Sequence, residues 1–90
     1  MTIELRSKQV GPYTVRELTW RETVRILDEF ENNPNKNARA AAMLGAAVRN
    51  GTGEPLGDAV LELGTGLYQL LMAAHQEVTS APVFGEPGNV

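Results

Sequence analysis

Cysteine is absent from this 90-residue sequence. That absence excludes a disulfide framework, thiolate metal ligation and a cysteine nucleophile. Histidine occurs once, as His75. A metal site would therefore need other ligands, and its neighbours Gln76 and Glu77 fall on other faces of a helix. The two serines, Ser7 and Ser80, lie towards the ends of the sequence, where no Ser-His-Asp set can be assembled around His75. No apolar run approaches the roughly 20 residues that cross a bilayer. The first six residues, Met-Thr-Ile-Glu-Leu-Arg, lack the apolar core of a signal peptide.

Positive charge is missing from one half. All eight Lys and Arg lie in residues 1–50, against six acids, while residues 51–90 hold Glu54, Asp58, Glu62, Glu77 and Glu86 and no base. Non-specific nucleic-acid binding needs a basic surface that releases counterions, so nucleic acid is not an expected partner. The asymmetry reads either as an acidic surface that meets a basic partner or as chance in a short chain. Apolar residues make up 42% of the sequence, enough for a globular core and too many for wholesale disorder. A chain of this length buries only roughly two-thirds of its unfolded surface. Homo-oligomerisation or partner binding would supplement such a core.

Residues 2–6 alternate, with Ile3 and Leu5 on one face, and residues 13–16 alternate with Tyr13 and Val15. Turn residues between them, within Lys8–Pro12, predict an N-terminal β-hairpin. Thr19-Trp20-Arg21-Glu22 has the spacing of a capping box, opening a helix from Trp20 to about Phe30, with Leu18 placed to staple onto it. Arg25 and Glu29 are spaced to pair across one turn. The break Asn32–Asn37 precedes an alanine-rich helix, about Ala38 to Arg49, with Asn37 as the expected N-cap and Asn50-Gly51 as the stop. This helix is apolar nearly all round, and Gly45 allows close approach.

Asp58 is placed to cap a short helical segment, Ala59 to Leu63. Gly64-Thr65-Gly66 then interrupts, since two glycines cost roughly 2 kcal/mol relative to alanine inside a helix. Thr65 is the expected cap of the last helix, about Gly66 to Val78. The fold class is mainly α with a small N-terminal β-hairpin (α+β), about three helices packed together. Residues 1–79 read as one interaction domain and residues 80–90 as a flexible tail.

No constellation in the sequence carries chemistry. Gly51-Thr52-Gly53 and Gly64-Thr65-Gly66 lack the strand–turn–helix setting of a phosphate loop and read as turns. Asp28, Glu29 and Glu31 read as the solvated end of the first helix. His75 reads as a boundary histidine. No cofactor or metal is expected, and the chain is not expected to be an enzyme. The informative feature is an excess of apolar helix surface. Leu67, Leu70, Leu71 and Ala74 make one stripe of the last helix, and Tyr68, Met72 and His75 a second. Contiguous exposed apolar patches mark interaction sites, and Tyr and Met suit them. The expected partner-binding residues are Trp20, Leu67, Tyr68, Leu71 and Met72.

The alternating segment running into a capped helix, Tyr13–Glu22, together with Asp58–Leu63 and the apolar Leu67–Ala74, resembles the tail assembly chaperones of long-tailed bacteriophages. The likeness spans about residues 2–80 and is one of pattern, with no catalytic motif to carry over. It implies a mostly helical protein that binds the tape measure protein in the host cytoplasm, keeps it soluble, recruits tail tube subunits and is absent from the finished virion. In some members a translational frameshift adds a second domain. The rival expectation is a structural virion protein, such as a head–tail connector or minor tail component, using the same surface to form a ring. A small antitoxin-like regulator is weaker, for want of a basic helix.

Overall fold

The computed structural model describes residues 4–80. The expected role of Ile3, and the expected tail beyond Ser80, lie outside them. The observed class is α+β: a three-stranded antiparallel sheet and three α-helices, with a 3-10 helix between the second and third.

A hairpin forms as expected, but its strands are β1 (Ser7–Val10) and β2 (Tyr13–Arg16); of the alternating residues expected to form the first strand, Glu4, Leu5 and Arg6 lie outside any strand. Val10 pairs with Tyr13, leaving a two-residue turn of Gly11 and Pro12. Gly11 has φ +57° and proline fixes a negative φ, the sign pattern of a type II′ turn that matches strand twist. Lys8, Gln9 and Val10, expected in the turn, are therefore strand. The turn geometry overrides the upstream alternation, because a two-residue loop leaves no choice of partner.

Helix α1 (Trp20–Glu29) begins as the capping box predicts. The Glu22 amide donates to Thr19 Oγ1 at 3.1 Å, and the Thr19 amide donates to Glu22 Oε1 at 2.8 Å. Arg25 and Glu29 make no salt bridge among the described residues.

Helix α2 (Lys36–Ala47) starts two residues earlier than expected, capped by Asn35 rather than Asn37. Asn35 Oδ1 accepts from the amides of Asn37 and Ala38 at 3.0 and 3.3 Å. It also ends two residues earlier, because Val48–Arg49 forms a third strand, β3. Val48 pairs with Val15 and Arg49 with Thr14. A β-branched valine opposite another, both fully buried, gains more from the sheet than from one further helical turn. The chain then folds back: the Leu56 amide donates to the Val48 carbonyl at 2.9 Å, covering the free edge of β3.

The segment expected to form a short capped helix is the 3-10 helix Gly57–Glu62, with no side-chain cap. Asp58 sits in its first turn and caps nothing. Helix α3 (Thr65–Thr79) has Gly64 at its N-cap, again without a side-chain bond, so Thr65 is helical rather than a cap. The interruption at residues 63–64 is real, with both residues extended.

The core gathers Val15 and Val48 from the sheet, Leu44 from α2, Val60 from the 3-10 helix and Leu71 from α3, all fully buried. Helix α3 covers β1 and β2, and α2 packs on the 3-10 helix and α3. Helix α1 leans chiefly on α2 and buries only Ile26.

Candidate functional site

Helix α3 buries Leu71, Ala74, His75 and Val78. Spacings of three and four put these on one stripe facing the core. Met72, His75, Gln76 and Thr79 follow the same spacing along the stripe's edge. Opposite them on α2 stand Ala40 and Met43, three residues apart. Between the two helices lies a cavity of about 310 Å³ lined by these six residues and Ser80.

A second cavity, of about 340 Å³, is lined by Glu17, Leu18, Trp20, Thr23, Met43, His75 and Thr79. It shares Met43, His75 and Thr79 with the first, so the two adjoin along a common wall on one grooved face. The grooved face runs from the start of α1, over α2, to the end of α3. Trp20 stands at its mouth with 75% of its surface exposed. The methionines line its length, and His75 is part of the wall of both halves.

The entrance is fixed by local chemistry. The capping box holds Trp20 at the first helical position, and Arg16 Nη2 lies 2.9 Å from Glu22 Oε2. The Thr19 amide, donating to the Glu22 carboxylate, holds that acid below its usual range, with Arg16 adding to the effect against partial desolvation. Arg6 does the same for Glu17, chiefly by its side-chain hydrogen bond. These ion pairs occupy the charges at the entrance and leave its middle apolar. Burial lowers the His75 pKa, so the imidazole favours its neutral form. Thr79 Oγ1 lies 3.5 Å from its Nδ1.

The five expected binding residues do not form one surface. Trp20 and Met72 line the two halves of the groove. Leu67 and Tyr68 are half-buried and pack against the core cluster. Leu71 is fully buried in that core and presents nothing to a partner in this fold. Leu70, expected on the same stripe as Leu71, is instead 56% exposed. Met43 was missed. The edge spacing of Met72, His75, Gln76 and Thr79 is legible in the sequence, whereas the meeting of Met43 with them depends on how α2 crosses α3. Leu61, 63% exposed, was also missed, having been placed in a short segment of unassigned orientation.

No helix of the described residues is long and apolar enough to cross a membrane. Among the same residues, no group of three or more His, Asp or Glu is placed to hold a metal ion. The chain matches no family model, and comparison with curated proteins and with solved structures finds no significant match.

Proposed function

We propose that the protein is a tail assembly chaperone of a long-tailed bacteriophage, acting without catalysis in the host cytoplasm. Its client is the tape measure protein, whose apolar helical segments it covers until the tail tube assembles around them. The reading rests on the pattern shared by Tyr13–Glu22, Asp58–Leu63 and Leu67–Ala74 with that family.

One structural observation supports it above the others: the two adjoining cavities that carry the grooved face from Trp20 to Met72. Laying the apolar face of a helix into a groove is a general mode of recognition. Methionines fill irregular gaps and adapt to different side chains, which suits a client presenting many similar segments. An exposed tryptophan supplies large contact area with few rotors to immobilise.

The test is co-expression with the products of the neighbouring genes, any candidate tape measure protein included. Wild-type chaperone is expected to keep that protein soluble and to co-purify with it. Trp20→Asp is expected to lose the client while keeping its melting temperature, since the side chain is largely exposed and aspartate suits a first helical turn. Leu70→Ser, exposed and outside the groove, is expected to retain it. Self-assembly into a ring that binds no client and persists in the virion would overturn the reading in favour of a structural virion protein.

A further inference from the structure

Helix α1 is the least covered helix of the fold, burying only Ile26 where α2 and α3 each bury four residues. At about 100° per residue, the side opposite Ile26 carries Val24, Asp28 and Arg21, flanked by Trp20 and Arg25. These five and Glu29 line an open surface to which no other element contributes a residue. Val24 is half-buried, Trp20 is largely exposed, and all four charged residues are exposed. This is an unpartnered helix face with an apolar pair one turn apart and charges around it.

The charges are ordered along the helix. Two bases, Arg21 and Arg25, come first, and two acids, Asp28 and Glu29, come last. That order opposes the helix dipole, which favours acids in the first turn and bases in the last. Arg21 stands in the first turn, both acids stand in the last, and the last turn holds no base. The chain does not offset the mismatch internally. Glu22, the acid of the first turn, is taken by Arg16 and the Thr19 amide. Arg25 and Glu29 have the base before the acid, the weaker orientation of such a pair. None of the four forms a salt bridge among the described residues.

We infer that this face pairs with the same face of a second copy of the chain, the two α1 helices running antiparallel about a two-fold axis. Arg21 and Asp28 are seven residues apart, about two turns, and so lie in one row along the helix. Antiparallel pairing about the middle of that row sets Arg21 of each copy opposite Asp28 of the other, twice by symmetry. Arg25 is long enough to reach the same acidic end. Val24 falls beside the axis and meets its own counterpart, and Trp20 packs at each end. The acids of each copy also come over the positive N-terminus of the other helix, which corrects the dipole mismatch. A partner of one charge sign satisfies half of this face, whereas an inverted second copy satisfies both halves. A ten-residue helix spans only about 15 Å, so the interface is small and the pair weak.

The test is sedimentation of the full chain from micromolar to millimolar concentration. Wild type is expected to pass from monomer to dimer over that range, and added salt to weaken the dimer. Arg21→Glu with Arg25→Glu makes the face wholly acidic, and Asp28→Lys with Glu29→Lys makes it wholly basic. Each double variant is expected to weaken self-association about tenfold, and an equimolar mixture of the two to restore it as a mixed pair. Both variants bring the charges of α1 into line with its dipole. Neither is therefore expected to lower the melting temperature of the monomer, which separates lost pairing from lost fold. None of the four substituted residues lines the cavities beside Trp20 and Met72, so client capture is measured in the same variants and either reading can fail alone. Wild type that stays monomeric at millimolar concentration, a dimer indifferent to both charge reversals, or a mixture that stays monomeric would each overturn the inference.

Discussion

Gly45 of α2 packs directly against the backbone of Gly57, where the chain enters the 3-10 helix. A Cβ at position 45 would meet the Gly57 carbonyl, lying 3.0 Å from its carbon and 3.1 Å from its Cα. The sequence suggests that Gly45 permits a close approach between helices. The approach is real, and its partner is the first residue of the 3-10 helix rather than another α-helix. Gly57 itself adopts φ +58° with open space around it, so the two glycines serve different ends of one contact.

Gly45→Ala therefore sets two effects against each other. Alanine is favoured over glycine in a helix interior by up to about 1 kcal/mol. Overpacking against a rigid backbone costs about 1–3 kcal/mol, and no flexible side chain is present to give way. The net expectation is destabilisation, read as a lower denaturant midpoint at unchanged slope. Gly57→Ala is expected to cost about 1–2 kcal/mol from its left-handed backbone alone. A stabilised Gly45→Ala variant would show that α2 and the start of the 3-10 helix separate easily.

The N-terminus of α1 was legible because every bond in it is local. Thr19 and Glu22 are three residues apart, and the sequence states their reciprocal bonds in full. Thr19→Ala is expected to cost about 1 kcal/mol, the usual value of a lost cap. Helix α1 buries only Ile26, so the loss should appear first as faster amide exchange in the opening turn of α1. Since that turn positions Trp20, binding of the proposed client should fall along with it.

The sheet was legible only in part, for the opposite reason. The second strand and the presence of a turn could be foreseen, but the alternating residues 2–6 pointed to the wrong first strand, because which residues pair depends on which turn forms. β3 could not be foreseen, because Val48 and Arg49 look like the end of an alanine-rich helix. They become strand only by pairing with Thr14 and Val15, more than thirty residues earlier. Asn35 displaced Asn37 as the cap of α2 because both are sound caps locally, and packing decides between them.

The phase of α3 shows how far site prediction could reach. Leu67, Leu70, Leu71 and Tyr68 offer apolar stripes in more than one phase, and the sequence does not choose. The fold puts Leu71 in the core, fully buried, and leaves Leu70 56% exposed. Leu71→Ala is accordingly expected to cost about 2–5 kcal/mol. Leu70→Ala should stay within about 0.5 kcal/mol. Chemical denaturation of the pair decides the phase directly, and equal losses would mean that α3 is rotated from the position described.

His75 gives the protein a dependence on pH that its carboxylates do not share. Burial lowers its folded pKa below the ordinary value of 6.5, so between those two values the unfolded chain binds a proton that the folded chain refuses. Stability linked to His75 is thus fully present above 6.5 and is lost as pH falls from there towards the folded value. Glu17 and Glu22 also have lowered pKa values, from 4.5. Their contribution is present above 4.5 and fails only as pH falls below it. Melting temperatures between pH 7.5 and 5 therefore isolate the histidine: wild type is expected to lose stability across that range, and His75→Gln to lose markedly less. Because His75 lines both halves of the groove, an occupant that excludes water from the groove should lower its pKa further. The loss should then still set in near 6.5, where the unfolded chain takes up its proton, but run on to lower pH in the complex than in the free chain, and an unchanged lower limit would place the proposed client elsewhere.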